Sequence, residues 1–400
     1  MTQHLLLFDL EVYGHHPGYI RHLLHYWADT RTHLHLVVSP ELQKHHQDVV
    51  QAACRAQITW WPITNREARQ YEASKRSLVR WAWQEWQLFY RYAAKLQPTH
   101  GLIMYIDRFQ LPLSLRLRLP CPTSGIFFRP KFHYPQLHKH HSTIYERRQA
   151  VRERCLWGSA LRHRQLKTLF LLDPFAVKPL RLLSKQTNIV HVADPVEIYS
   201  QPPVGAITLR QTLGIEPTRT VLLLFGMIDR RKGLYQLLDA LHQLPASQQK
   251  QITLLLVGPL DKAEEAAGRA AMDKLRCQTA VQLVVHHKFV PDEQIQPYFE
   301  LADVVLAPYQ YHIGMSAILI RAAAAGKPVL ASDYGLMGEL VHHYHLGCVV
   351  ESTQPAAIAQ GLATFLARSP HAMIDLQKAA QFAHENQAVH FAQTIGDHLR

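Results

Sequence analysis

The stretch that decides the fold is TVLLLFGMIDRRKGLYQLLDALHQL, residues 220–244. Thr220–Phe225 runs apolar without interruption into Gly226, and Gly233–Leu244 then spaces its leucines with helical period. A short unbroken apolar run reads as a strand buried on both faces, and the glycine-bounded change of period reads as a tight strand-to-helix turn. The alternation continues downstream. Ile252–Val257, Val281–Val285, Val304–Ala307 and Pro328–Ala331 predict strands, separated by helices over Asp261–Arg276, Asp292–Ala302 and about Ser316–Ala325. Such βαβ units build a parallel sheet covered on both faces, with ligands expected at the carboxyl ends of its strands.

The first half repeats this style less cleanly. Leu5–Phe8, Leu34–Val38, Gly101–Ile106, Ser124–Phe128, Thr168–Leu172 and Ile189–Val192 predict strands, and Val79–Leu96 a long Trp-bearing helix. Asp194–Val204, DPVEIYSQPPV, holds three prolines, which forbid regular structure and mark a linker. The fold class expected is α/β, with two Rossmann-like doubly wound domains facing across a cleft. Their bounds are 1–195 and 205–380, joined by a linker at 196–204. A C-terminal helix in 381–400 has the option of crossing back to the first domain. Four hundred residues suit two cores better than one.

Composition narrows the function classes. With 48% hydrophobic and 18% charged residues the chain can bury full cores, which excludes wholesale disorder. The net charge of +12 points to an anionic partner: nucleic acid, a membrane surface or a phosphorylated substrate. The surplus is uneven, since residues 1–195 carry 27 Lys and Arg against 13 Asp and Glu, whereas residues 196–400 carry 16 against 18. Five scattered cysteines form no C-x-x-C pair, which fits a reducing cytoplasm. The opening MTQHLLLFDLEVYG reads as a buried strand and not as a signal peptide, and no run is long enough to span a bilayer. The 27 histidines include five doublets, among them His15–His16 and His342–His343. None sits beside carboxylates or cysteines at ligand spacing, so solvated histidines and no metal are expected.

Four places are able to carry chemistry. Phe225–Gly233, FGMIDRRKG, sets Arg230, Arg231 and Lys232 where a glycine turn opens a helix, a seat for a diphosphate or else a solvated basic turn. Pro308–Pro328, PYQYHIGMSAILIRAAAAGKP, enters a helix at Gly314-Met315-Ser316, a second anion cradle or else plain capping by Ser316. Two cradles on neighbouring crossovers together describe a nucleotide diphosphate site. The third place is Glu11–Tyr19, EVYGHHPGY, where Gly14 and Gly18 permit close backbone approach and His15 or His16 has a route to the ligand. The fourth is the pair of strand ends IMYIDR (103–108) and GIFFRPKFH (125–133), bearing Asp107, Arg129 and His133. Asp107 and Arg129 either orient an acceptor hydroxyl and stabilise a departing diphosphate, or form a structural ion pair.

The order FGMIDRRKG, ITLLLVGP, ELADVVLAPY, RAAAAGKPVLASDYGLMGELV resembles glycosyltransferase family 4, strongly over about 205–350 and weakly over 1–195. The resemblance implies a two-Rossmann GT-B fold, a nucleoside-diphosphate sugar bound by the C-terminal domain, and an acceptor bound by the N-terminal one. It also implies transfer usually with retention and without metal or other cofactor. Lys232 matches the family's phosphate-binding lysine, while Met227 stands where an arginine is usual, leaving that charge to Arg230 or Arg231. Phe289 and Val290, after VVHHKFV, match where relatives hold the base through the backbone. Ile313, Gly314, Met315 and Ser316 match the phosphate cradle. The second glutamate of the family's E-x7-E element is matched by Arg321, and the first has no counterpart in His312-Ile313-Gly314. By the same resemblance Gly14 approaches the donor phosphate; His16 beside it, and Asp107 and Arg129 at the two strand ends, are the catalytic candidates.

The resulting expectation is a metal-independent glycosyltransferase at the cytoplasmic side, with a degenerate binding or scaffold protein and a sugar-nucleotide epimerase or hydrolase as rivals. The basic surplus over residues 139–185 suits an anionic or lipid-linked acceptor, with peripheral contact to anionic membrane through Trp157 and its leucine neighbours, or else a solvated helix face. No nucleic-acid reader motif accompanies the charge, so no nucleic acid is expected.

Overall fold

The computed structural model describes residues 3–28, 30, 32–56, 58–137, 143–199 and 204–399. The chain forms two compact units, one made of Met1–Pro135, Ser142–Pro195 and Ala388–Arg400, the other of Gln136–His141 and Val196–Gln387. Residues 200–203 of the expected linker and 139–142 of the basic segment lie outside the described residues.

The first unit contains β1 (Gln3–Asp9), β2 (Thr32–Val38), β3 (Thr59–Pro62), β4 (His100–Ile103), β5 (Thr123–Phe127), β6 (Leu166–Leu171) and β7 (Asn188–His191). They form one parallel sheet in the order β3-β2-β1-β4-β5-β6-β7. Chain order reverses between β1 and β4, the switch point where a doubly wound sheet opens a crevice for ligand. Because β1 is central, both faces are buried: Leu6 and Phe8 pack with Leu88, Phe89 and Phe109, while Leu5 and Leu7 pack with Leu23, Leu24 and Phe391. Phe391, Ile395 and Leu399 come from the final helix, Ala388–Leu399, so the end of the chain covers the first sheet.

The second unit contains β8 (Thr220–Phe225), β9 (Ile252–Val257), β10 (Gln282–His286), β11 (Val304–Ala307), β12 (Val329–Ser332) and β13 (Gly347–Val350), parallel in the order β10-β9-β8-β11-β12-β13. Its switch point lies between β8 and β11. Two strands escape the sequence reading. TWWP ends in a proline that only a strand at the sheet's border tolerates, and GCVV is short and opens on a glycine. The helix expected from Asp261 begins at Glu265, after a 3-10 turn in which the Ala263 amide donates to the Asp261 carboxylate.

One expectation is corrected by packing. Trp157 is fully buried, its ring 4.6 Å from that of Phe127 on β5, so it belongs to the core and has no face to offer a membrane. The exposed apolar residues of its helix, Ile144–Ala160, are instead Ile144, Tyr145 and Val151.

Candidate functional site

In the second unit β8 delivers Gly226 to the carboxyl edge of the sheet, where φ of +102° requires glycine. The turn Arg230–Lys232 follows, with the Asp229 carboxylate accepting from the Lys232 amide at 2.8 Å. Gly233 (φ +77°) ends the turn against the Pro308 carbonyl, which any Cβ would overlap. Lys232 is thereby folded back over the strand end. Its Nζ donates to the Phe225 carbonyl at 2.7 Å and to Tyr309 Oη at 2.5 Å. Tyr309 Oη lies 3.2 Å from Ser316 Oγ, and the Gln310 amide donates to the Arg231 carbonyl at 2.8 Å, so the two expected cradles are tied together. An ammonium has three N–H donors, and these two bonds leave one for a ligand.

The cations divide. Arg231 stands over the Tyr309 ring, 5.4 Å from its centroid, beside Lys232. Arg230 turns away, its Nε 2.7 Å from Glu264 Oε1, with a largely exposed side chain. Ser316 is the N-cap residue of the helix Ala317–Ala324, yet its side chain makes no capping bond; the hydroxyl serves Tyr309 instead. Ile313 is fixed by accepting from the Leu336 amide at 2.8 Å, and Met315 O lies 3.2 Å from His312 Nε2. Arg321 is buried, with Nη1 lacking a hydrogen-bond partner among the described residues. Burial pulls its pKa below the usual guanidinium value, against the nearby charges of Asp292, Tyr199 and Glu197. Val290 is buried and Phe289 exposed in the loop after β10.

In the first unit the ends of β1, β4 and β5 meet. Gly14 (φ +76°) turns the chain into the helix His16–Ala28. His16 Nδ1 lies 2.7 Å from Oδ2 of the buried Asp9, whose Oδ1 accepts from the Glu11 amide at 2.9 Å. Burial pulls the imidazole down, but the Asp9 carboxylate and its hydrogen bond outweigh this and leave the pKa raised. The rings of His15, His16, Tyr19 and Tyr105 surround Phe128, with centroids 4.8, 5.5, 5.7 and 5.3 Å away. Asp107 spends both carboxylate oxygens on main chain, accepting from the Phe128 and Arg129 amides at 3.0 and 2.9 Å. It therefore acts on this site by holding the end of β5, while the Arg129 side chain is exposed.

Beneath lie further groups, of which sequence reading reached His133 but not Glu85 or Glu153. Arg108 bridges Glu11, at 2.9 Å, and the buried Glu85. Glu153 accepts from the Phe132 amide and from Gln110 Nε2. Burial, the largest influence, pushes its carboxyl up to about 7. His133, in the turn after β5, is buried with neither ring nitrogen hydrogen-bonded among the described residues. No local pattern marks Asp9, Glu85 or Glu153; only strand order brings them here.

With this geometry in place, comparison with known proteins is decisive for the second unit: residues 206–383 match the family described as glycosyl transferases group 1. That segment, and not the chain as a whole, carries the group 1 glycosyl transferase match. Curated relatives in this family include the lipopolysaccharide 1,2-N-acetylglucosaminetransferase of Salmonella typhimurium, 32% identical over 40% of this chain and 42% of its own. The phosphatidyl-myo-inositol mannosyltransferase of Mycobacterium leprae is 32% identical over 44% of this chain and 45% of its own. The matched stretch thus spans less than half the length of these relatives. Among solved structures, Anabaena HepE in complex with UDP and glucose is similar over 99% of both chains with a TM-score of 0.65 at 17% identity. A sucrose-phosphate synthase from Thermosynechococcus elongatus gives 0.66 at 19% identity, over 99% of this chain and 98% of its own. These likenesses place the two parallel sheets in the GT-B fold. Within the group 1 segment fall Arg230, Arg231, Lys232, Phe289, Val290, Ile313–Ser316 and Arg321, whereas Gly14, His16, Asp107 and Arg129 lie outside it.

Proposed function

We propose that the protein transfers a sugar from a nucleoside-diphosphate sugar to an acceptor hydroxyl, with retention. The observation that carries this is the buried Lys232, held by Phe225 O and Tyr309 Oη at a strand's carboxyl end inside the group 1 segment. Its remaining donor, the Arg231 guanidinium and the amides entering the helix at Ala317 supply cationic and dipolar groups for a leaving diphosphate. They sit in a preorganised turn, so little reorganisation is needed as charge develops. UDP-sugars are the first donors to test, since HepE is described with UDP and glucose.

Acceptor binding falls to the first unit in this reading. His16, kept basic by Asp9, is placed to exchange a proton with an acceptor hydroxyl, and Asp107 positions the Arg129 backbone. The positive surplus of that half suits an anionic or lipid-linked acceptor. Ile144, Tyr145 and Val151 lie exposed on one helix with Arg148, Arg152 and Arg154, which suits peripheral contact with anionic lipid at the cytoplasmic face. No helix among the described residues is long and apolar enough to cross a membrane.

The test is a mass-spectrometric screen of donor nucleotides against candidate acceptors, repeated with Lys232→Ala. Transfer lost in the variant supports the assignment, and unchanged turnover sinks it. Without acceptor, epimerised donor or free sugar would signal the epimerase or hydrolase reading. The absence of any nucleotide binding at millimolar concentration would favour a scaffold.

A further inference from the structure

The opposite edge of the first sheet holds a cluster that the donor and acceptor sites do not use. In the parallel register of β1 and β2, His4 is paired with His33 and Leu6 with His35. The period of two puts His33 and His35 on one face of β2, the face that buries Val37, and puts His4 on the same face of β1, the one that buries Leu6. Three imidazoles therefore converge at the amino-terminal ends of adjacent strands. Ring centroids of His4 and His33 are 5.1 Å apart, and those of His33 and His35 are 4.6 Å apart. One ring nitrogen from each residue lies within 4.8 Å of the other two.

We propose that His4, His33 and His35 form a binding site for a divalent transition-metal ion, zinc first among them, that pins β1 to β2. Ligand nitrogens of a tetrahedral ion with bonds of about 2.1 Å stand about 3.4 Å apart. The separations here close to that value by rotation of the exposed His4 and His33 rings, while His35 is buried and supplies the fixed point. Imidazole-only donors select zinc, copper or nickel over calcium or magnesium, which prefer oxygen. Burial, followed by the nearness of His33 and His4, lowers the basicity of His35 and keeps its ring in the neutral form a metal requires.

Binding has a built-in reporter. His35 Nδ1 accepts a hydrogen bond from Trp61 Nε1 at 3.1 Å. A metal on Nδ1 displaces that N–H directly. A metal on Nε2 moves the ring proton to Nδ1, where the indole can no longer donate. Either way Trp61 loses the bond, a single neutral hydrogen bond exchanged for a metal–nitrogen bond. All seven tryptophans lie between residues 27 and 157, so the emission of the whole protein reports this unit.

The experiment titrates the full-length, untagged protein with zinc chloride, followed by calorimetry and Trp fluorescence, and separately with cobalt(II), followed by visible absorption. The expected result is one saturable equivalent, a change in Trp emission in step with it, a tetrahedral cobalt spectrum and a zinc-dependent rise in the melting temperature of the first unit. His33→Ala, at an exposed ring whose loss the fold tolerates, should weaken binding about tenfold or more, as should His4→Ala. His342→Ala, on an unrelated helix, serves as the control and should bind as the parent does. Affinity unchanged in His33→Ala and His4→Ala, or weak binding of several equivalents without a fluorescence change, would overturn the proposal.

Discussion

Replacing Asp9 by Asn tests whether the first unit keeps His16 charged for proton exchange. Asp9 is 2% exposed and makes two bonds, 2.7 Å to His16 Nδ1 and 2.9 Å from the Glu11 amide. The substitution preserves volume and lets the side-chain oxygen accept from one partner, but removes the negative charge. A hydrogen bond to a charged group contributes about 1.5–3 kcal/mol, against about 0.5–1.5 kcal/mol for a neutral one. The expected loss is therefore about 2 kcal/mol where His16 is protonated and about 1 kcal/mol or less where it is neutral. The direction in pH follows from linkage. His16 has a folded pKa above 6.5 because Asp9 outweighs the opposing effect of burial. Its stabilisation is thus complete below the unfolded pKa and is lost as pH rises through the folded one. Urea unfolding followed by Trp fluorescence, at pH 5.5 and pH 9, isolates this unit because every tryptophan lies within it. The gap between parent and Asp9→Asn should be larger at pH 5.5. A gap equal at both values, or wider at pH 9, would refute the argument that the carboxylate holds a charged imidazole.

Three further outcomes are expected. Gly233→Ala combines a positive φ with overlap of the Pro308 carbonyl, so it should lower stability by at least about 1–3 kcal/mol and weaken UDP binding, read by calorimetry, because the Lys232 turn shifts. Glu153 is raised from 4.5 to about 7 chiefly by burial, so the native state keeps a proton the unfolded chain releases. Stability of the first unit should fall by roughly 2–3 kcal/mol as pH climbs from 4.5 past 7, and Glu153→Gln should flatten that slope in denaturation curves. Arg148→Glu with Arg152→Glu should abolish flotation with anionic vesicles while leaving the melting temperature within about 2 °C; flotation that persists would remove that helix from any membrane role.

The apolar runs of β8 and β9 were legible because a strand buried on both faces needs nothing but its own residues to announce itself, and the turn that follows is equally local. The basic turn that carries the proposed donor site was legible for the same reason: Gly226, Lys232 and Gly233 are neighbours in sequence and in space. The separate orientation of Arg230 and Arg231 was not. It depends on Glu264 and Tyr309, which reach the turn from other crossovers. Trp157 misled the reading because a tryptophan amid arginines looks the same whether its helix turns it outward or, as here, onto Phe127.

The sequence by itself therefore determined the class of each sheet, the family that residues 206–383 match and the place of Lys232 in the turn after β8, all properties of contiguous segments. Tertiary structure alone decided that Asp9 buttresses His16, that the helix Ala388–Leu399 closes the first core, and that three histidines scattered over residues 4–35 meet at one edge. The physical reason is register. A parallel pairing is set by the crossover between two strands, and shifting it by one residue would send the histidines of β2 to the opposite face.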